Sequence, residues 1–259
     1  MFDSHCHLDA EEYDGDRSEV LARATAAGVS AIMVPGYEPG EWDRLAELCA
    51  HDARVRCAVG LHPLYLHQLS EAERTLALAD IERRIRELGA RAVGECGLDA
   101  LVAKRGGLDL DAQAKVLDVQ LELARALELP IILHCVRAHG RMLALLERHG
   151  PLARGGVMHA YGGPPELLER YRRLNLRFSF GGIVTHEGAH KPRRSLCAVP
   201  RELLLVETDG PSQVPAGVQR ARSEPADVAL VLAVAAQLRG EPLAALREAT
   251  TANAHALFD

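Results

Sequence analysis

Short runs of apolar residues alternate along the chain with longer stretches in which apolar residues recur at helical spacing. The short runs are apolar almost throughout, which is typical of parallel strands that are buried on both faces. Eight runs are predicted to be strands: Phe2–His5, Ala31–Pro35, Val55–Gly60, Ala92–Glu95, Ile131–His134, Gly156–His159, Arg177–Phe180 and Leu203–Glu207.

The stretches between these strands predict amphipathic helices, because their apolar residues fall on one face. Helices are predicted over Arg17–Ala27, Trp42–His51, Glu71–Leu88, Asp111–Leu127, Arg141–Arg148, Pro165–Leu174, Pro225–Leu238 and Pro242–Phe258, and loops over Leu98–Leu110 and Gln213–Arg222. Eight strand–helix units without a break in composition predict a single (β/α)8 TIM barrel over residues 1–259. The length also fits this fold, whose members have about 250 residues.

The overall charge narrows the choice of partners. The formal net charge is −6, which disfavours tight, non-specific wrapping of DNA but allows metals and local cations to hold a few phosphates. The N-terminus has no signal-peptide pattern, and no apolar run reaches the ~18 residues of a membrane span. Six scattered cysteines without a C-x-x-C pair are interpreted as reduced thiols of a cytoplasmic protein without membrane contact. The sequence has no coiled coil or obvious apolar interface patch, so we expect a monomer.

Metal-competent side chains occur where the predicted strands end. In a TIM barrel these ends form one rim, which is where barrel enzymes place their active sites. Histidine, glutamate and aspartate suit Zn²⁺, Mn²⁺, Co²⁺ or Fe²⁺, and Mg²⁺ less well. The predicted metal ligands are His5, His7, Glu95, His134, His159 and Asp209.

Six ligands exceed the needs of one tetrahedral ion and predict two divalent ions roughly 3.5–4 Å apart. No lysine lies at a strand end, so a carboxylated lysine is not available as the bridge between the ions. The bridging role is therefore assigned to Glu95 by elimination.

Several segments in order along the chain match the motifs of one family. Asp3–Leu8, Gly60–Pro63, Gly94–Asp99, Glu207–Asp209 and Thr251–Phe258 resemble D-x-H-x-H, G-x-H-P, G-E-x-G-L-D, E-T-D and the closing N-x-x-x-L-F of TatD-type hydrolases. The resemblance extends from Phe2 to Phe258. It implies a (β/α)8 barrel and metal-dependent hydrolysis of phosphodiester bonds, often 3′→5′ on DNA.

Carried over by position, the resemblance implies a place for each ligand. His5, His7, Glu95 and Asp209 would hold one ion, Glu95, His134 and His159 would hold the other, and His62 would contact the substrate. Three segments depart from the family pattern, after His134, after Asp99 and after His159. These departures concern substrate contacts, so they leave the identity of the substrate open.

The clustered ligands suggest a mechanism in which two ions share a water and lower its pKa to give a metal-bound hydroxide. Asp209 and Glu95 are the predicted catalytic residues, Asp209 as both ligand and general base. His62, Arg137 and Tyr161 are predicted to bind substrate, the last by stacking on a base, although Tyr161 equally fits a packed loop residue. Glu207 is interpreted as an orienter of a metal-bound histidine or as a buried structural carboxylate.

Three alternatives remain open. The basic cluster Lys191, Arg193 and Arg194 fits a solvated surface better than a track for a nucleic-acid backbone. The same metal site would also serve an esterase, an amidase or an aminoacyl-tRNA deacylase. A barrel that only binds a partner is the third possibility, although the intact ligand set argues against it.

Overall fold

The computed structural model describes residues 1–259, and its eight parallel strands follow one another in chain order around a nearly closed barrel. This confirms the predicted (β/α)8 fold. The strands are β1 (Phe2–Asp3), β2 (Ala31–Pro35), β3 (Val55–Val59), β4 (Ala92–Asp99), β5 (Ile131–Val136), β6 (Gly156–Met158), β7 (Leu176–Phe180) and β8 (Leu204–Val206).

Ten α-helices surround the strands. They are α1 (Arg17–Ala26), α2 (Trp42–His51), α3 (Glu71–Leu88), α4 (Ala100–Lys104), α5 (Leu110–Ala126), α6 (His139–His149), α7 (Leu168–Arg173), α8 (His190–Ala198), α9 (Val228–Arg239) and α10 (Leu243–Phe258). The main apolar core lies between this outer layer and the sheet, as the strands' apolar runs predict.

The inside of the barrel has a separate apolar core. Side chains from seven of the eight strands meet there with three from α10. The last helix therefore closes the barrel at the end opposite to the carboxyl ends of the strands. Phe2 and Phe258 meet in this layer with their ring centroids 5.8 Å apart. The members of this inner core are Phe2, Ala31, Met33, Ala58, Ala92, Ile132, Val157, Leu205, Ala254, Leu257 and Phe258.

The seam between β8 and β1 is joined by hydrogen bonds rather than by a full ladder. The amide of Ser4 donates to the carbonyl of Val206 at 3.1 Å. Both carboxylate oxygens of Asp3 accept from Thr208, one from its amide at 2.9 Å and one from its hydroxyl at 2.6 Å. This pairing aligns the ends of the first and last strands, from which several site residues arise.

The structure corrects two parts of the sequence prediction. The segment 98–110 is not one loop, because β4 continues to Asp99 and α4 follows directly. Helix α8 was not predicted, and it contains the basic cluster Lys191, Arg193 and Arg194. The segment from Gln213 to Arg222 contains neither helix nor strand, which confirms the predicted loop.

No single helix combines the length and the apolar character needed to cross a membrane. Only the last two helical segments, Pro225–Arg239 and Leu243–Phe258, meet those criteria as a pair, and they are bent by 116° relative to each other.

Candidate metal centre

The alternation of side chains along the strands places polar residues one layer above the inner apolar core. Ile132 and Val157 lie in that core, and His134 and His159 follow each of them by two positions, so they share its side of the sheet. The same spacing relates Leu205 to Glu207. These three polar residues therefore project toward the barrel axis at the carboxyl end of the strands.

Glu95 lies at the centre of the histidines, and each of its oxygens faces a different pair. Its Oε2 lies 3.1 Å from Nε2 of His5 and 3.4 Å from Nε2 of His7. Its Oε1 lies 3.0 Å from Nδ1 of His134 and 2.8 Å from Nε2 of His159. Within each pair the two facing ring nitrogens are 3.3 Å apart. One carboxylate thus joins two nitrogen pairs.

Glycine residues make room for Glu95 between neighbouring strands. A Cβ at Gly60 would lie 2.6 Å from the Cα of Gly94, closer than atoms can pack. Gly94 itself has a φ of 132°, a conformation that side-chain-bearing residues rarely adopt. The glycines of the G-x-H-P and G-E-x-G-L-D motifs therefore bring the backbones of these two segments together directly beside the carboxylate.

Asp209 completes the side of the centre formed by His5 and His7. Its Oδ1 lies 3.7 Å from Nε2 of His5 and 3.8 Å from Nε2 of His7, while Oδ2 accepts from Nε2 of Gln213 at 2.8 Å. The amide of Asp209 also donates to the carbonyl of His5 at 2.9 Å. Gln213 thus holds one oxygen and leaves the other directed at the histidine pair.

Backbone strain is concentrated at this rim. Arg137, Ala160 and Asp209 follow β5, β6 and β8, and they have positive φ values of 52°, 43° and 51°. Such conformations cost free energy in residues other than glycine and persist where surrounding contacts enforce them. At Ala160 the contact is a 2.6 Å hydrogen bond from its amide to Oε1 of Glu207.

Two of the histidines have a second carboxylate behind the ring. Oδ2 of Asp99 lies 3.1 Å from Nε2 of His134, on the side of the ring away from Glu95. Oε1 of Glu207 lies 3.5 Å from Nδ1 of His159. Carboxylates in this position fix the orientation and tautomer of metal-binding imidazoles. Asp99 is hydrogen-bonded to His134 in this way, whereas Nδ1 of His159 has no hydrogen-bond partner, so the orienting role of Glu207 stays a prediction.

His62 also reaches Glu95, with its Nε2 3.1 Å from Oε1, but its hydrogen bonding indicates a donor. The amide of Leu64 donates to Nδ1 of His62 at 3.1 Å, so Nδ1 carries the lone pair. In a neutral imidazole the proton is then on Nε2. Burial lowers the pKa of His62 to about 4, so the ring is neutral at pH 7. His62 is therefore available as a donor rather than as a metal ligand.

The donor set fits divalent metal ions. Burial opposes a charge on Glu95, yet the surrounding imidazoles, His159 foremost, hold the pKa of this carboxyl well below its usual range. Oε2 of Glu95 nevertheless has no hydrogen-bond partner in its fully buried position. A buried anion is stable when it is paired or bound to a metal. Three groups of donors have their ligand atoms within 4.8 Å of one another: His5 with His159 and Asp209, His5 with His7 and Glu95, and His62 with Glu95 and His134.

A cavity of about 270 Å³ opens above the centre. None of its thirteen lining residues is a lysine or an arginine. The lining residues are His7, Ala10, Glu12, Tyr37, His62, Leu64, Tyr65, Glu95, His134, His159, Asp209, Pro211 and Ser212. The cavity thus brings together five of the six predicted metal ligands and His62, while His5 lies buried beneath it.

Two predicted substrate-binding residues lie outside this cavity. Arg137 is exposed in the turn after β5 and makes no ion pair. Tyr161 is only 1% exposed, donates to the carbonyl of Pro164 at 2.9 Å and packs against Phe178. The expected stacking of Tyr161 on a base is therefore corrected, because a buried ring has no free face for a ligand.

The cysteines beside the ligands are not part of the centre. All six cysteines are free, and Cys6 and Cys96 are fully buried in the main core. Burial raises the pKa of both thiols well above the usual value, which disfavours the thiolate form needed for metal binding.

Sequence reasoning missed four residues of the site. Asp99 belongs to a motif that was noticed, but its role depends on β4 reaching that position. Gln213 lies in a loop without a pattern, and Tyr37 and Tyr65 come from the loops after β2 and β3. The signals available were the motif membership of Asp99 and the position of Tyr65, three residues after His62.

Comparisons with known proteins identify similar sequences and a similar fold. The family model described as TatD related DNase matches residues 2–259. The chain is 36% identical over 261 residues to the uncharacterized metal-dependent hydrolase YjjV of Escherichia coli strain K12, covering 100% of this chain and 98% of that protein. It is 33% identical over 268 residues to the 3′-5′ ssDNA/RNA exonuclease TatD of Citrobacter rodentium, with 100% and 97% covered. The crystal structure of Escherichia coli YjjV, a TatD homolog, matches with a TM-score of 0.90 and 35% identity, covering 100% and 97%.

Proposed function

The chain belongs to the TatD-related DNase family and is a metal-dependent hydrolase, and from this premise we propose that it removes nucleotides from the 3′ end of single-stranded DNA. The relative from Citrobacter rodentium is named a 3′-5′ ssDNA/RNA exonuclease, which supports this substrate class. The observation that carries the proposal is the position of Glu95, whose two oxygens face separate histidine pairs.

We assign one divalent ion to His5, His7, Glu95 and Asp209 and a second to Glu95, His134 and His159. When bound, such ions lower the pKa of a shared water and offset the negative charge of a phosphodiester in its transition state. The nitrogen and oxygen donors are compatible with Zn²⁺, Mn²⁺, Co²⁺, Fe²⁺ or Mg²⁺.

The protein side chains have distinct parts in this reaction. Asp209 accepts a proton from the attacking water as general base, and the hydrogen bond from Gln213 to its Oδ2 keeps Oδ1 directed at His5 and His7. The Nε2 hydrogen of His62 is donated to a phosphate oxygen, where negative charge grows as the bond breaks. Water adds to the phosphorus and the bond to the preceding 3′ oxygen breaks, which releases a 5′-mononucleotide.

We assign to Arg137 a contact with the next phosphate of the strand, which is the 5′ phosphate of the nucleotide that precedes the scissile bond. Its exposed guanidinium has no carboxylate partner, and its strained backbone places it directly after the strand that carries His134. Arginine matches the geometry of phosphate oxygens.

The proposal is tested with a 5′-labelled single-stranded DNA oligonucleotide and the purified protein, with and without added Mg²⁺ or Mn²⁺. We expect a metal-dependent ladder that shortens from the 3′ end and is absent with Asp209→Asn. An unchanged ladder with Asp209→Asn contradicts the assigned role of this carboxylate, and no ladder with any metal contradicts the nuclease proposal.

A second candidate function has one observation in its favour. No lysine or arginine lines the cavity, so a substrate with a single reacting ester or amide also fits. Turnover of soluble esters, amides or aminoacyl-tRNA without shortening of oligonucleotides would select this alternative.

A further inference from the structure

One wall of the cavity is apolar and aromatic, in contrast to the polar floor. Tyr37 and Tyr65 lie face to face, with ring centroids 4.7 Å apart and planes inclined by 28°. Leu64 adjoins them in the lining and is 45% exposed. An apolar surface beside convergent polar groups is typical of a ligand-binding site.

The wall is held against the candidate metal centre on both sides. The ring of Tyr37 meets His7 edge to face at a centroid distance of 5.2 Å, and Tyr65 meets His62 at 6.3 Å. The amide of His62 donates to the carbonyl of Tyr37 at 2.9 Å, and the amide of Tyr65 donates to the carbonyl of His62 at 3.1 Å. The position of the two rings is therefore coupled to that of the centre.

The exposure of these tyrosines distinguishes them from the packed aromatic residues of the fold. Tyr161 and Tyr171 are at most 1% exposed and contact each other and Phe178 in the main core. Tyr37 and Tyr65 are only partly buried and line the cavity instead. Packing within the core thus does not account for their position.

The charges around the wall select against phosphate. Glu12 lines the cavity, and Glu38 directly follows Tyr37 in the chain. A second phosphate would be repelled here, whereas an uncharged planar ring would not. Aromatic side chains bind such rings by stacking, with little dependence on base identity.

We propose that Tyr37 and Tyr65 form a stacking subsite for the base of the 3′-terminal nucleotide, the nucleotide that the enzyme releases. This inference rests on the proposed exonuclease function and adds to it the group that positions the terminal phosphate over the centre. The sugar–phosphate chain of the remaining strand then leaves the cavity on the side away from the acidic wall, because the carboxylates of that wall repel its phosphates.

The test compares two sugar phosphates, of which only one has a base attached. The Mn²⁺-loaded protein is titrated by calorimetry with 2′-deoxyadenosine 5′-monophosphate and with 2-deoxyribose 5-phosphate. We expect the nucleotide to bind about 10-fold or more tightly than the sugar phosphate, because stacking on one aromatic residue has an effect of this size. Tyr65→Phe should keep this preference, and Tyr65→Leu, which retains apolar bulk without a π face, should lose most of it.

The outcomes separate this inference from the function on which it rests. Equal affinities for the two ligands, or a preference that survives in Tyr65→Leu, overturn the stacking subsite, even if oligonucleotides are still shortened. A preference that Tyr65→Leu abolishes supports the subsite. If no oligonucleotide is shortened in that case, the exonuclease proposal alone fails.

Discussion

Oδ2 of Asp99 lies 3.1 Å from Nε2 of His134, so this imidazole directs Nδ1 toward Glu95. The other oxygen of Asp99 accepts from the amides of Leu101 and Val102 at the start of α4, at 2.7 and 3.0 Å. One side chain therefore both begins a helix and orients a candidate ligand. Burial alone would lower the pKa of His134. The hydrogen bond with Asp99 is the strongest of the interactions that outweigh burial and raise this pKa.

Replacing Asp99 by Asn separates these two roles. Asparagine begins helices as well as aspartate does, so thermal stability should change little. Metal affinity should fall about 10- to 100-fold, because the carboxylate behind the imidazole is lost. Calorimetric titration with Mn²⁺ measures this change. Asp109→Asn is the matched control, since Asp109 begins α5 by accepting from the amide of Ala112 and is not hydrogen-bonded to any candidate ligand. Equal metal affinities of the two variants would contradict the orienting role of Asp99.

His62→Ala should reduce activity without removing metal. The Nδ1 of His62 accepts from the amide of Leu64, which leaves Nε2 as a donor. Loss of such a donor should lower kcat/KM by about 100-fold or more. Metal content, measured by mass spectrometry, should stay at the wild-type value. Exposed His67 provides the control as His67→Ala, and loss of an ion from His62→Ala alone would show that His62 is a ligand.

Arg137→Ala should affect binding of oligonucleotides and leave the chemical step intact. With one phosphate contact removed, KM should rise, kcat should stay unchanged, and the slope of log KM against log salt concentration should flatten by about 0.7. Steady-state kinetics at several salt concentrations measure this slope. Arg141→Ala is the control, because Arg141 forms an ion pair with Asp111 on the outer helices. A changed kcat with the same salt slope would refute the phosphate contact.

Glu224 makes the stability of the barrel depend on pH. This carboxylate is 1% exposed and binds Arg23 through both oxygens, at 2.7 and 3.0 Å, which joins α1 to the segment before α9. Burial opposes its charge, but Arg23 and Arg220 hold the pKa of Glu224 below its usual value. The folded state therefore binds the proton less readily than the unfolded state, so this stabilisation is present above pH 4.5, the unshifted value, and is lost as the pH falls through the folded pKa.

We accordingly expect Glu224→Gln to lower the free energy of unfolding at pH 7 by about 1–3 kcal/mol. The difference from the wild type should shrink as the pH falls below 4.5. Urea unfolding at a series of pH values measures it. Glu169→Gln, which affects exposed ion pairs to Arg172 and Arg173, should have no measurable effect. A pH-independent difference for Glu224→Gln would contradict the electrostatic origin.

The strands and the candidate ligands were predictable because both depend on local pattern. Apolar runs of strand length identify buried parallel strands, and polar residues at their ends converge by the geometry of the fold. His134 and His159 illustrate this, since each lies two positions beyond a residue of the inner core. The family motifs added the assignment of His62, which position alone could not provide.

The residues that were missed depend on contacts between distant segments. Tyr37 and Tyr65 meet because the amide of His62 ties the loops after β2 and β3 together, and nothing in either loop alone indicates this. For the same reason the sequence could not decide between the two interpretations of Tyr161, since its burial is set by Phe178 and other distant residues. Helix α8 escaped prediction because His190–Ala198 contains a proline and three cations, although proline is tolerated in the first turn.

The central claim is that Glu95 joins two metal ions. It is tested most directly by counting bound metal per chain after saturation with Mn²⁺ and removal of free ions, for the wild type and for Glu95→Gln, with thermal melting to verify the fold. The predicted result is two ions in the wild type and at least one fewer in the folded variant. A single ion in the wild type, or two ions retained by Glu95→Gln, would contradict the claim.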